Sequence, residues 1–321
     1  MAPNRLRGGI FLSEVKDFDV LIIGAGPAGL TTAIYTSRAN LKVCVIGQSF
    51  DSQLAKSGLV ENYPGFPEGI QGLDLSTRMV DQAQKYGAII EEKLVEKITK
   101  EDDDFLVEAS GESYKGKVLI LALGAKYREL GFPGEKEFYQ RGVSYCEVCD
   151  GSLFRRKNVA VVGHGNNLAK AAVYLSSIVK QLYLVIIKEE LICEAIYKDR
   201  LAKMDNIEFY YSAEPLEVSG ENTVEKLKIK LKSSEEKTLE ISGLFVTAGT
   251  VPNSDLAKSL GLQLTKNGFV KVKNKTTLET EIPGCFVAGD LTGGRRQIAT
   301  AVGEGASAGI SATRYIQSLQ K

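Results

Sequence analysis

Two cysteines with two residues between them, Cys146-Glu147-Val148-Cys149, are the side chains here best suited to chemistry. At this spacing a pair can close a small disulfide ring and reopen it, exchanging electrons through sulfur. The same spacing forms half of many zinc sites, but zinc needs two further ligands. Cys193 and the single histidine, His164, supply no second clustered pair, so no metal site is expected. The dithiol stands just ahead of one glycine loop, Gly163-His164-Gly165, and far behind another, Gly24-Ala25-Gly26-Pro27-Ala28-Gly29. A dithiol between two nucleotide-binding units suggests that electrons arrive from a cofactor and leave through sulfur.

The first loop has the spacing of a dinucleotide fingerprint. Gly24 permits the tight turn, Gly26 lets backbone approach a pyrophosphate, and Gly29 allows close helix–strand packing. A helix opening there points its unpaired N–H groups and its dipole at the phosphates. Near the other end, Phe286-Val287-Ala288-Gly289-Asp290 reads as a strand finishing on a carboxylate. Asp290 could accept hydrogen bonds from a polyol such as the ribityl chain of a flavin, or cap the turn that follows.

The elements that must position these groups occur twice. An apolar strand over 19–23, the glycine loop, a helix over 30–38 and a strand over 42–46 make one βαβ unit. A strand over 158–162, the second loop, a helix over 167–177 and a strand over 181–187 make another. Each is followed by β-rich, charged sequence and a strand ending in glycine, at 118–123 with Gly124 and at 244–248 with Gly249. The run Glu101-Asp102-Asp103-Asp104 reads as a solvated turn. The segment after Gly249 is too short for a third domain and is expected to complete the first. The expected fold is α/β: two Rossmann-like, three-layer ββα nucleotide-binding domains, the second inserted into the first. The first domain would comprise 1–121 and 248–321, and the second, carrying the dithiol, 122–247.

Composition excludes several classes. The 321 residues include 40 Lys plus Arg and 40 Asp plus Glu, so no net field draws the chain to nucleic acid or an anionic membrane. Apolar runs such as 118–123 are strand-length and cannot span a bilayer. The stretch 1–16 lacks a continuous apolar core, which argues against a signal peptide and for a loose extension. Five cysteines without a secretion signal argue for a reducing, cytoplasmic setting. Cys44 and Cys285 lie in apolar strand-like segments and read as small buried hydrophobes.

Over most of its length the chain resembles the low-molecular-weight thioredoxin reductases. The resemblance is carried by the first glycine loop, Val60-Glu61-Asn62-Tyr63-Pro64-Gly65-Phe66-Pro67 and Ser144-Tyr145-Cys146-Glu147-Val148-Cys149-Asp150-Gly151. It continues in Gly249-Thr250-Val251-Pro252-Asn253, the segment 282–290, and Arg296-Gln297. It implies a homodimer with an FAD domain and an inserted pyridine-nucleotide-type domain. Gly24, Gly26, Pro27, Ala28 and Gly29 would then hold the FAD pyrophosphate, and Gly289 and Asp290 the ribityl region. Asn62, Arg296 and Gln297 would lie near the flavin, and Gln53 would touch FAD, although Asp51-Ser52 replaces the usual glycine pair before it. Cys149 would face the flavin, Cys146 would attack the disulfide of a thioredoxin- or glutaredoxin-like protein, and Asp150 would act as acid/base. Such exchange needs an attacking thiolate and a neighbouring thiol to release the mixed disulfide. Asp150 could ferry the proton if burial raises its pKa.

The second nucleotide loop departs from this family. Gly163-His164-Gly165-Asn166-Asn167-Leu168 places leucine where glycine or alanine permits tight packing. Family members that use NADPH carry a His-Arg-Arg run after the next strand, with another arginine beyond it. This chain has Ile186-Ile187-Lys188, then Glu189, Glu190 and Ile192. A dianionic 2′-phosphate wants charge-assisted donors, which argues against NADPH. NADH is compatible with an acid that binds the 2′-hydroxyl. Alternatively nicotinamide binding is lost, and ferredoxin or a reduced deazaflavin reduces the flavin; the altered loop favours this slightly. Three other functions stay open: a dithiol oxidase passing electrons to oxygen, a non-catalytic FAD-binding redox sensor, and, weakest because it gives no reason for the dithiol, a relative of the ferredoxin-type NADP reductases.

Overall fold

The strand Lys16–Ile23 ends in an apolar run buried on both faces, and this sets the layers of the first unit. Val20 and Ile22 enter one core with the helices Pro27–Arg38, Gly72–Lys85 and Ile298–Leu319. Leu21 and Ile23 enter another, with Phe105 and Val107 from an antiparallel meander. Strand side chains alternate between faces, so one apolar run serves two cores.

The computed structural model describes residues 15–320, so the extension expected over 1–16 lies almost wholly outside the described residues. The chain divides into two compact units: residues up to Lys126 with those from Val251, and Tyr127–Thr250. In the first, Lys16–Ile23 pairs in parallel with Val43–Ile46 and with Glu112–Leu121. Val43–Ile46 pairs onward with Ile89–Glu91. The strand Glu112–Leu121 serves two layers. Its beginning pairs antiparallel with Asp104–Ala109, which pairs with Val95–Glu101, while its end pairs in parallel with Cys285–Val287. The long C-terminal helix lies against the first helix, where Thr32 Oγ1 donates to the Gly305 carbonyl at 2.9 Å.

The second unit repeats the plan. Its parallel sheet runs Val143–Ser144, Gly243–Thr247, Asn158–Gly163, Gln181–Ile186, Ile207–Tyr211. Glu214–Ser219, Lys226–Lys230 and Glu236–Glu240 form the meander. Val159 and Val161 join the core with the helix Gly165–Ser176, while Ala160 and Val162 join the core with the meander. The α/β architecture with two Rossmann-like, three-layer units is as expected.

Local differences have local causes. The first helix begins at Pro27 rather than 30, because proline suits the first helical turn, where its missing N–H costs nothing. Asp290 does not end the strand, which stops at Val287; it sits in the 3₁₀ turn Gly289–Thr292. The acidic run is a turn at 102–103 between two strands. Among the described residues, no helix is long and apolar enough to cross a membrane, and no His/Cys/Asp/Glu group is arranged to hold a metal.

Candidate functional site

In the first unit the chain leaves the strand at Gly24 with φ 110°, and a Cβ there would stand 2.3 Å from the Ala122 carbonyl oxygen. A Cβ at Gly29 would lie 1.9 Å from the Gly24 carbonyl oxygen, so the helix closes directly onto its own loop. Gly26 differs: a Cβ there would meet no protein atom within 4 Å. Its lack of a side chain leaves open space over the backbone, which suits the approach of a ligand. Gly26 caps the helix without a side-chain hydrogen bond, and the first turn holds no acid. The N–H groups at that end are therefore suited to an anion.

The C-terminal segment closes on this loop. Gly289, at φ 75°, lies so near that its Cβ would stand 2.9 Å from the Ala28 Cβ. Burial pushes the neighbouring Asp290 carboxyl up to about 6, with Arg296 opposing the rise and Glu304 adding to it. Asn62 Nδ2 donates to Gln297 Oε1 at 3.2 Å, and Gln53 Nε2 donates to the Ala125 carbonyl. Of the expected FAD residues, Gly289 lies close to Ala28 and Asn62 bonds Gln297, whereas Gln53 bonds the Ala125 backbone. Glu304 was not read from the sequence. Its carboxylate accepts the Gly289 N–H at 2.8 Å and the Thr292 hydroxyl at 3.1 Å, holding the turn that carries Asp290. No motif marks it; only the close lie of the C-terminal helix reveals it.

In the second unit Cys146 and Cys149 are joined by a disulfide. Cys146 caps the short helix Glu147–Asp150, and its Sγ accepts the Cys149 N–H at 3.2 Å. Both cysteines are partly exposed. Ser144 Oγ donates to Asp150 Oδ2 at 2.5 Å and accepts the Cys146 N–H at 3.0 Å. Burial raises the Asp150 pKa, and the Ser144 bond opposes that rise. On the other side of the entering strand, the Tyr145 hydroxyl donates to the buried Glu135 at 2.9 Å, and its ring stacks on Tyr127 at 5.2 Å. Glu135 also accepts the Gly131 N–H at 2.6 Å. Ser144 stands in the stretch around the Cys-x-x-Cys motif without a role read from sequence, and Glu135 belongs to no motif at all. Of the other cysteines, Cys44 and Cys285 are buried, and burial raises each thiol to about 12, as befits small hydrophobes.

The second glycine loop opens on a cavity of about 630 Å³ at the carboxyl ends of the strands Asn158–Gly163, Gln181–Ile186 and Gly243–Thr247. Open α/β sheets bind ligands at this kind of position. Among the described residues, Lys188 is the one Lys or Arg in the lining, beside Glu189 and Glu190. Glu189 pairs with Lys232 at 2.8 Å, and Ile192 is 75% exposed. Asn166, in the first helical turn, exchanges two hydrogen bonds with Glu194, each 2.9 Å, which brings a third carboxylate to this region. Leu168 is fully buried in the core beneath.

Two three-layer nucleotide-binding units, one bearing a closed two-cysteine ring, define a pyridine nucleotide-disulphide oxidoreductase. The family model of that description matches residues 18–305. Thioredoxin reductase of Bacillus subtilis is 36% identical over 314 residues, covering 97% of this chain and 98% of that protein. The crystal structure of thioredoxin reductase from Streptococcus pyogenes superposes with a TM-score of 0.88 at 35% identity, covering 95% of this chain and 100% of that one. A ferredoxin-flavin thioredoxin reductase from Clostridium acetobutylicum matches at 26% identity and a TM-score of 0.51, covering 95% and 99%. Within the pyridine nucleotide-disulphide oxidoreductases, the chain belongs to the low-molecular-weight thioredoxin reductases, which are flavoprotein oxidoreductases. FAD is the cofactor expected for that family.

Proposed function

We propose that this protein is an FAD-dependent disulfide reductase that passes electrons through Cys146–Cys149 to a thioredoxin- or glutaredoxin-like protein. The observation that carries the proposal is the Cys146–Cys149 ring, closed in one partly exposed turn with Asp150. Gly24, Gly26, Pro27, Ala28 and Gly29 would hold the FAD pyrophosphate, with Gly289 and Asp290 at the ribityl chain and Gln53, Asn62, Arg296 and Gln297 around the flavin. The open backbone at Gly26, the uncapped helix end and the Asp290 carboxyl fit an anionic dinucleotide bearing a polyol. When bound and reduced by the donor, FAD would supply the electron pair that, with one proton, opens the ring to the Cys146 thiolate and the Cys149 thiol. The Cys146 thiolate then attacks the partner disulfide, forming a mixed disulfide and releasing one partner thiolate. Cys149 gives its proton to Asp150 and attacks Cys146 Sγ. The ring closes, the mixed disulfide breaks, and the second partner thiolate leaves with a proton from Asp150. Assembly as a homodimer belongs to the same reading.

Replacing Cys149 by serine tests this reading. The variant should retain FAD absorbance while losing disulfide turnover by on the order of a thousandfold or more. Residual turnover near the native rate would defeat the proposal.

The donor is proposed to be other than NADPH, because its 2′-phosphate would meet Lys188 amid Glu189 and Glu190. Glu194, bonded to Asn166 in the first helical turn, further opposes a pyrophosphate there, which favours ferredoxin or reduced deazaflavin over NADH. Anaerobic bleaching of the flavin with NADPH, NADH, reduced ferredoxin and reduced deazaflavin discriminates among them. Rapid bleaching by NADPH would overturn this reading of the donor.

A further inference from the structure

We propose that Ser144 is a positioning residue for thiol–disulfide exchange, its hydroxyl holding the Asp150 carboxylate in register with the backbone of Cys146 while the ring opens and closes. The inference rests on the assignment of Asp150 as acid/base.

Ser144 belongs to the sheet, not to the reactive turn. It is 3% exposed and pairs with Phe245 in the parallel sheet of the second unit. Cys146 and Asp150, by contrast, belong to a short helix and its cap, none of whose residues is fully buried. One hydroxyl joins the rigid element to both ends of this turn. It accepts the Cys146 N–H at 3.0 Å and turns its own proton to Asp150 Oδ2 at 2.5 Å. The Cys146 carbonyl, at 3.4 Å, is the competing acceptor. The shorter bond to the carboxylate prevails, because charge-assisted hydrogen bonds are shorter and roughly twice as strong as neutral ones.

A hydroxyl that donates to a carboxylate favours its ionised form. Burial works the other way on Asp150, and the Ser144 hydroxyl is the one side chain opposing it among the described residues. Asp150 must be ionised to take the Cys149 proton, so exchange fails as pH falls through the Asp150 pKa. Removing the hydroxyl leaves burial unopposed, raises that pKa, and moves the acid limb of the rate to higher pH.

The test uses chemically prereduced holoenzyme and the aromatic disulfide dithiobis-nitrobenzoate, following the second nitrothiolate released, which reports ring closure. Rates are compared from about pH 5 to pH 9 for the native chain, Ser144→Ala, Ser144→Thr, Asp150→Asn and the double variant Ser144→Ala/Asp150→Asn. In Ser144→Ala the acid limb should move up by about one pH unit, with roughly tenfold slower closure on that limb. Ser144→Thr, which keeps the hydroxyl, should restore the native profile, and Ser144→Ala should add nothing further in the Asp150→Asn background. A Ser144→Ala profile superimposed on the native one would overturn the inference. So would an equal loss with and without Asp150, since Ser144 would then act through backbone alone. A native profile in Asp150→Asn would overturn the inference together with the acid/base role of Asp150.

Discussion

The two glycine loops stand at the same place in two copies of one architecture, yet they meet different demands. Their first glycines are alike: a Cβ at Gly24 would strike the Ala122 carbonyl at 2.3 Å, and one at Gly163 the Thr247 hydroxyl at 2.3 Å. Both positions have positive φ, and both lie where the end of a neighbouring strand presses on the loop. The first glycine therefore belongs to the fold. The later positions separate. Gly29 closes its helix onto the loop, whereas Leu168 is buried in the core and its helix begins already at Gly165. The second loop keeps the glycine that the sheet needs and an open glycine at Gly165, and differs at its sixth position, where Leu168 packs into the core.

That contrast can be broken most directly within the first loop. Gly26→Val puts its Cβ in open space at an ordinary negative φ, so stability of the apoprotein should stay within about 0.5 kcal/mol of native. FAD retention should nevertheless fall by on the order of a hundredfold or more, measured by flavin content after gel filtration and by titration. Gly29→Val should lose both, with thermal or urea unfolding showing a cost of about 1–3 kcal/mol or more from overpacking against the Gly24 carbonyl. If Gly26→Val keeps its FAD, the division between fold glycines and ligand glycines is wrong.

The second loop offers a gain instead of a loss. The double change Glu189→Arg/Glu190→Arg removes two carboxylates from the cavity lining and adds two forked donors. NADPH should then bind at least about tenfold more tightly, read by stopped-flow bleaching or fluorescence titration. No gain would mean that the loop around Leu168, rather than the missing arginines, limits the site.

A smaller effect comes from Asp290. Its folded value of about 6 lies above the ordinary carboxylate value, so the folded chain binds this proton more tightly than the unfolded one. Its contribution to stability is full below about pH 4 and is lost as pH rises through about 6. The unfolding free energy of the apoprotein, measured by urea from about pH 4 to pH 7, should fall relative to that of Asp290→Asn by on the order of 1 kcal/mol or somewhat more. A constant gap between the two would show that burial does not govern this carboxyl.

Much of this was legible in the residues themselves. Period-two burial in the strands, glycine spacing and the Cys-x-x-Cys pair are local signals, and each led to the element that carries it. Glu304, Glu135 and the role of Ser144 were not legible. Glu304 reaches Gly289 across 15 residues through helix packing, and Glu135 meets Tyr145 across a separation of 10. Ser144 lies close in sequence to its partners, but its bonds depend on a turn that bends back onto the sheet edge.

The sequence by itself determined the two-unit α/β plan, the dithiol and the absence of an arginine cluster after the strand Gln181–Ile186, because these follow from residue type and periodicity. Tertiary structure alone decided that Asp290 is a partly buried carboxyl in a turn braced by Glu304, and that Asp150 is tied to Ser144. The reason is physical: proton affinity and hydrogen-bond partnership depend on what surrounds a group in space, and residues distant in the chain supply those surroundings.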